Sequence, residues 1–583
     1  MSEAAGSGLH GHLADRGVVA GTPVALVDAG RHGTALAWAG GSLAVRRPAA
    51  DVVAGVAGLE PRWTWWSARE SAWPLVRAGL RVRACWDLAA VGRLLHGLRR
   101  EDPAAVWAAA HDLPEPPVRS GALDLFELDD EDTGPVRRDG QLSREWIGGR
   151  ATEDLEAAVR WAGLALDVQQ RQENSLRALA DPRPQPRHAP LRLLTAHAES
   201  MAALLCLELE HDGLPVDVDA AAALLTELVG ARPSDEASEE EQRQRRDAEV
   251  LRHFPGSPVD LRNPARVREL LGRVGLDVPD TRSWRLEPHA AHSPAVAALL
   301  AWRKAERVAT TYGWRWLDEH VGADGRLRGA WGAADAAAGR MTAQAGLHNL
   351  PAELRPVVRA QPGWTLVRAD LGQVEPRVLA VVSGDRGLAH AARQDDLYAP
   401  VAAALGVDRP TAKVAVLAAM YGQTSGAAGR ALEGMDRTYP QAMELLRSAE
   451  RSGQQGVDLR TWGGRLLRLA RPLLDQPEGL AHRYGRFARN AMVQGAAAEL
   501  FKAWAATVRA GLPGVGGGHI ALCLHDELLL HVPVDVAPDA ERLLHSALAS
   551  TVSWWAGAAP GSERHVRFVA EVATAQRWSD TKG

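Results

Sequence analysis

Asp370 and Asp526 are the residues of this 583-residue chain best placed to do chemistry. Asp370 closes an apolar run, Trp364-Thr-Leu-Val-Arg-Ala369, with the pattern of a buried strand. Asp526 lies in His525-Asp526-Glu527, between the apolar runs Ile520–Leu524 and Leu528–Val532, which reads as a hairpin. If these strands pair, two carboxylates stand on adjacent rigid elements. Such a pair can hold two divalent ions about 4 Å apart, an arrangement that activates a hydroxyl nucleophile and stabilises a leaving pyrophosphate. Magnesium suits it, because that ion prefers oxygen ligands and keeps waters and substrate phosphates in its shell; manganese is the substitute.

A second set of residues recurs every four positions: Arg409, Lys413, Leu417 and Tyr421. Asp408 is an N-cap candidate for a helix running through about Met420, on which the four form one slowly drifting stripe. A guanidinium and an ammonium one turn apart can grip phosphates, although alone they are more often a solvated face. Lysine is scarce here, with only Lys304, Lys413, Lys502 and Lys582, so its presence in the stripe carries weight.

These residues need elements to position them. Residues 1 to about 180 mix short β-like runs, such as Val24–Val27, with Ala/Leu-rich helical stretches. The proline-rich stretch from Asp181 to Pro190 has the composition of a linker. A mostly helical region follows, with the charge-dense Ser234–Glu249 as a solvated helix or loop. From Gly363 onward strands and helices alternate. The fold class is multidomain α/β.

Composition excludes several classes. No apolar run reaches membrane-span length, and Met1-Ser2-Glu3-Ala4 is not the start of a secretory signal. Cys85, Cys206 and Cys523 are too few and too dispersed for a disulfide framework or zinc site, which points to a reducing cytoplasm. The net charge of −5 speaks against a nucleic-acid partner, yet Arg409–Lys502 holds fourteen Lys/Arg against eight Asp/Glu. That segment can face phosphates while the rest of the chain stays acidic.

Five stretches, in order, resemble the motifs of family A DNA polymerases. Asp370-Leu-Gly-Gln-Val-Glu-Pro-Arg377 is similar to motif A, and Arg409-Pro-Thr-Ala-Lys413 with Leu417 and Tyr421-Gly422 to motif B. His525-Asp526-Glu527 is similar to motif C. Gly339-Arg340 with His348-Asn349-Leu-Pro351, and Arg486-Phe-Ala-Arg-Asn490 through Gln494-Gly495, complete the set. The resemblance spans residue 191 to the C-terminus and implies a right-hand polymerase. Its parts are thumb and palm entry at 191–335, palm at 336–408, fingers at 409–505 and palm again at 506–583. It implies a monomer near the nucleoid that binds primer-template DNA and deoxynucleoside triphosphates, in replication or repair.

The resemblance also implies roles. Asp370 and Asp526 are the metal ligands; Glu527 and His525 support the metals and primer end. Arg409 and Lys413 bind the triphosphate, with Lys413 protonating the leaving pyrophosphate. Leu417 and Tyr421 line the base and sugar pocket, Gln373 belongs to the nucleotide site, and Glu375 is a steric gate against a ribose 2′-hydroxyl. Arg340 and Gln494 read minor-groove acceptors common to all base pairs, and Asn349, Arg486 and Asn490 contact DNA.

The sequence departs from the family at Leu371-Gly372 and Pro376, where a different backbone path is expected, and at Leu417 and Tyr398. Residues 1–180 resemble a 3′–5′ exonuclease domain in position and size, with Asp87 in an acidic place. Asp28-Ala29-Gly30 lacks the Glu of its first motif, and Trp161–Ala165 lacks the Tyr and Asp of its third. Two-metal hydrolysis does not survive such losses, so a degenerate domain is expected, with Asp167 the one acid that could substitute. Competing readings are a nuclease whose polymerase part positions DNA, an inactive primer-template binder, and a single-subunit RNA polymerase, which Glu375 disfavours.

Overall fold

The computed structural model describes residues 3–117, 134–186, 189–256, 258–335, 338–422, 427–469, 479–524, 526–558 and 562–582. Two compact units emerge. The first comprises Met1–Asp212, Ala330–Thr342 and Gly363–Thr574; the second comprises Gly213–Gly329, Ala343–Pro362 and Ala575–Gly583.

Two larger sheets organise the first unit. One is built from β1 (Pro23–Asp28), β2 (Thr34–Trp38), β3 (Gly41–Val45), β4 (Arg62–Trp65) and β5 (Ala84–Asp87), in the order β3-β2-β1-β4-β5. The β1–β2 and β2–β3 pairs are antiparallel, and β1–β4 and β4–β5 parallel. Alternation along each strand feeds two cores. Ala25, Val27 and Trp86 face residues of α2 (Leu155–Ala178), including Trp161 and Val168. Val24, Leu26, Trp63 and Trp65 face residues of α3 (Leu191–Asp212), including Leu204 and Leu207. Short helix α1 (Leu88–His96) leaves β5 directly at Asp87.

The proline-rich stretch is not the free linker its composition suggests. The Arg183 side chain is fully buried, pairs with Asp181 at 2.7 Å and donates to the Ala189 carbonyl at 2.8 Å.

The second sheet carries both candidate metal ligands. Its strands are β6 (Trp364–Gly372), β7 (His519–Leu524), β8 (Glu527–Pro533) and β9 (Val569–Ala575), in the order β7-β8-β6-β9. The expected hairpin is present, with β7 antiparallel to β8. The strand before Asp370 does not end there: β6 pairs with β8 from Trp364 to Asp370 and runs two residues beyond that ladder to Gly372, with β9 on its other edge. Of the helices α4 (Val374–Ser383), α5 (Arg409–Tyr421), α6 (Pro440–Gln455), α7 (Gly479–Gly511) and α8 (Ala537–Ala556), α7 and α8 pack on this sheet, and α4, α5 and α6 pack on α7. Their apolar faces share one core, with Val378, Leu379, Ala415, Val416, Leu446, Val493, Leu500 and Trp555 inside it.

The second unit is largely helical, with Val218–Val229, Glu236–Leu251, Pro264–Arg273 and Pro294–Thr311 among its helices. Glu236–Leu251 covers most of the charge-dense stretch and buries only Val250, the solvated helix expected of it.

Candidate active site

The sheet register brings the acids together. Asp370 on β6 lies opposite Glu527, the first residue of β8, and Glu527 also faces Leu524 on β7. The Leu371 N–H donates to the Asp526 carbonyl at 2.9 Å, so the two candidate ligands are tied by backbone across adjacent strands. Burial pushes the Asp526 carboxyl up to about 6, and the nearby charges of Asp370, Glu527 and Glu375 add to the effect. Converging carboxylates in a half-dry place are a site that a cation relieves. Among the described residues no three His, Cys, Asp or Glu side chains form a ready metal cage. His525 lies outside the described residues.

Arg368, two residues before Asp370 on the same face of β6, joins this group. It is 7% exposed, pairs with Asp370 through Nη2, and reaches Glu527 from Nε at 2.9 Å. The signal for it was present in the sequence, as the lone cation within an apolar strand.

The turn after β6 sets the next residues. Gln373 takes a left-handed conformation at φ +55° and precedes α4. Pro376 falls in the first turn of α4, where its missing N–H costs nothing. Gln373 donates to Asp396 at 2.9 Å and accepts the Leu397 N–H at 2.8 Å. Arg377, fully buried, donates to the carbonyls of Gly372, Ala392, Gln394, Asp395 and Arg567. This guanidinium locks the chain behind the acids. Sequence reasoning gave it no role.

Glu375 is the meeting point of three predicted residues. The Tyr421 hydroxyl donates to its Oε2 at 3.1 Å, and Gln494 Nε2 donates to its Oε1 at 3.3 Å. Asp408 caps α5 by accepting the Thr411 N–H at 2.8 Å, as expected. On that helix Arg409 and Lys413 are exposed, while Leu417 is half-buried and packs on the shared core. Arg409 is turned onto Asp396, with Nε at 2.7 Å.

Of the remaining candidates, Arg340 stands within electrostatic reach of Tyr421. Arg340 is exposed and pairs with Asp335 at 3.3 Å. Arg486 is exposed on α7, and on the same helix the Asn490 Oδ1 is buried with no hydrogen-bond partner among the described residues. Asn349 belongs to the second unit, exposed at the end of the short turn Leu347–Asn349.

The acids of the first sheet are engaged otherwise. Asp87 is 3% exposed and caps α1, accepting the Ala90 N–H at 2.8 Å and the Ala68 N–H at 2.6 Å. Asp28 accepts the Gly30 N–H at 2.9 Å. Asp167 is held by His111 and Arg171, each at 2.9 Å. Trp161 packs on Trp66 with ring centroids 4.9 Å apart and on Trp146 at 6.4 Å.

Comparison with known proteins now decides the family. A model described as DNA polymerase family A matches residues 241–580, more than half of the chain. The chain belongs to DNA polymerase family A. The DNA polymerase I of Chloroflexus aurantiacus is 30% identical over 339 residues, covering 51% of this chain and 36% of that protein. The thermostable DNA polymerase I of Thermus filiformis is 27% identical over 493 residues, covering 76% and 54%. The chain thus spans between a third and just over half of these relatives' lengths. In fold it is similar to the solved POL domain of Pol1 from M. smegmatis, in complex with DNA primer-template and dNTP. The TM-score is 0.64 at 20% identity, covering 99% of this chain and 98% of that one. Among the described residues the chain contains no helix long and apolar enough to cross a membrane.

Proposed function

We propose that this chain catalyses template-directed DNA synthesis, transferring a nucleotide from a deoxynucleoside triphosphate to a primer 3′-hydroxyl. The observation that carries the reading is the backbone-tied pair Asp370 and Asp526, with Glu527 beside it. These residues would hold two divalent ions, magnesium in the first instance, which supply charge neutralisation to the attacking hydroxyl and the leaving pyrophosphate. Glu375, steadied by Tyr421 and Gln494, occupies the gate against a ribose 2′-hydroxyl. Lys413, exposed one turn from Arg409, donates a proton to the departing pyrophosphate as negative charge builds there. Arg409 leaves Asp396 to bind the triphosphate. Arg340, Arg486, Asn490, Gln494 and Asn349 contact the primer-template. Leu417 sits at the edge of the sugar pocket.

We assign residues 336–408 and 506–583 to the palm, 409–505 to the fingers and 191–335 to the thumb and palm entry. Residues 1–180 serve as a degenerate exonuclease-like domain without hydrolytic activity. Supporting this, Asp87 is consumed as a helix cap, Gly30 and Ala165 stand where acids are needed, and packed tryptophans occupy the region around α2. The protein acts as a monomer on nucleoid DNA in replication or repair.

The test is primer extension by the purified chain with magnesium and either deoxy- or ribonucleotides. Templated extension with deoxynucleotides, strongly preferred over ribonucleotides, is expected; a protein that binds primer-template and extends nothing overturns the reading.

A further inference from the structure

Arg368 is an unusual neighbour for a metal site. Strand alternation places it on the same face of β6 as Asp370, two residues along, and the β6–β8 register places Glu527 across from Asp370. Its guanidinium therefore lies between two carboxylates on two strands. It pairs with Asp370 through Nη2 and meets Glu527 from Nε at 2.9 Å and from Nη2 at 3.3 Å. Arg368 and Glu527 are shielded, at 7% and 9% exposed, while the Asp370 side chain is 28% exposed toward the site. A planar, permanently charged fork suits this place better than an ammonium would, because it serves two acceptors at once.

A cation already in contact with a ligand carboxylate opposes a second cation on that carboxylate, and the opposition is strong where water is scarce. We propose that Arg368 is a positioning residue of the metal site, an internal cation that holds Asp370 and Glu527 in line and competes with divalent ions for Asp370. This rests on the reading of Asp370 as a metal ligand. The guanidinium keeps the acidic group ordered before any ion arrives, and it sets the ion affinity low. Binding then depends on substrate phosphates arriving with the metal, so the protein alone stays largely metal-free. Lysine at this position would keep the charge and lose the two-pronged grip.

The experiment is a Mn2+ titration of the full chain, without DNA or nucleotide, followed by electron paramagnetic resonance of the free ion. Wild type, Arg368→Met, Arg368→Lys and Asp370→Asn are compared, each checked for folding by circular dichroism. Removing the charge is expected to tighten Mn2+ binding by about tenfold or more, with Arg368→Lys near wild type and Asp370→Asn weaker than wild type. In primer extension, Arg368→Met should reach half-maximal rate at a correspondingly lower magnesium concentration. Unchanged or weaker Mn2+ binding by folded Arg368→Met, with binding lost in Asp370→Asn, overturns the proposal and leaves the metal reading standing. Asp370→Asn binding Mn2+ as wild type does refutes the metal reading itself. Should Arg368→Met fail to fold because Glu527 is left unpaired, the double variant Arg368→Met/Glu527→Gln removes both charges. That double variant is compared with Glu527→Gln alone, and the same tenfold tightening is required of it.

Discussion

Tyr421→Phe removes a single oxygen, and the structure predicts what that oxygen does. The Tyr421 hydroxyl donates to Glu375 at 3.1 Å, and Gln494 holds the other carboxylate oxygen at 3.3 Å. A hydrogen bond to a charged group contributes about 1.5–3 kcal/mol when shielded. Tyr421 is 37% exposed, so solvent screens this one and about 1 kcal/mol is the fitting figure. If Glu375 excludes a 2′-hydroxyl only while held in place, Tyr421→Phe should reduce discrimination against ribonucleotides by roughly fivefold. Glu375→Ala should reduce it by roughly one to two decades, because no carboxylate then remains to clash or be buried unpaired. The assay is the ratio of incorporation efficiencies for matched deoxy- and ribonucleotides in wild type, both single variants and the double variant. Because Tyr421 acts through Glu375, Tyr421→Phe should change nothing further once Glu375 is alanine. An equal loss in both backgrounds would refute the reasoning and place Tyr421 in direct contact with substrate.

Three further outcomes follow from the same geometry. Lys413→Ala should lower the single-turnover rate and nucleotide affinity far more than primer-template affinity, read by rapid-quench extension and anisotropy; equal losses in both would remove its phosphate role. Asp526 has its folded carboxyl raised to about 6 from 3.8, so its contribution to stability is present below pH 3.8 and lost as pH rises through about 6. Asp526→Asn should therefore raise the metal-free melting temperature at pH 7.5, by the equivalent of about 1–3 kcal/mol, and the gain should shrink below pH 5. The purified chain should degrade neither single-stranded nor mismatched primers 3′ to 5′. Asp87→Ala should leave that null result unchanged and destabilise the fold by about 1–3 kcal/mol, through loss of the α1 cap and an unpaired Ala68 N–H.

Local chemistry made much of this molecule legible. The β7–β8 hairpin was readable because two apolar runs flank three polar residues, and Asp408 because a short acceptor precedes a helical stripe. The polymerase family was readable from motif order. What the sequence could not supply are pairings between distant segments. β6 finds its partner in β8, some 150 residues on, and runs to Gly372 beyond the last of those pairs. Arg409 looked like a free phosphate grip, yet Asp396 holds it at 2.7 Å. Arg183 looked like part of a linker, and burial with Asp181 pins it. Pro376 falls where a helix tolerates proline, and the left-handed turn lies just before it at Gln373. Arg377 is only the last residue of a motif in the sequence, and its hydrogen bonds to five carbonyls appear only once the chain has folded around it.

The central claim is that Asp370 and Asp526 together drive metal-dependent nucleotide addition. Single-turnover primer extension by Asp370→Asn and Asp526→Asn, with primer-template binding measured in parallel, tests it most directly. Both variants should bind primer-template nearly as wild type does and lose extension by three or more orders of magnitude, on the order of 4 kcal/mol of barrier or more. Extension within about tenfold of wild type by either folded variant would contradict it.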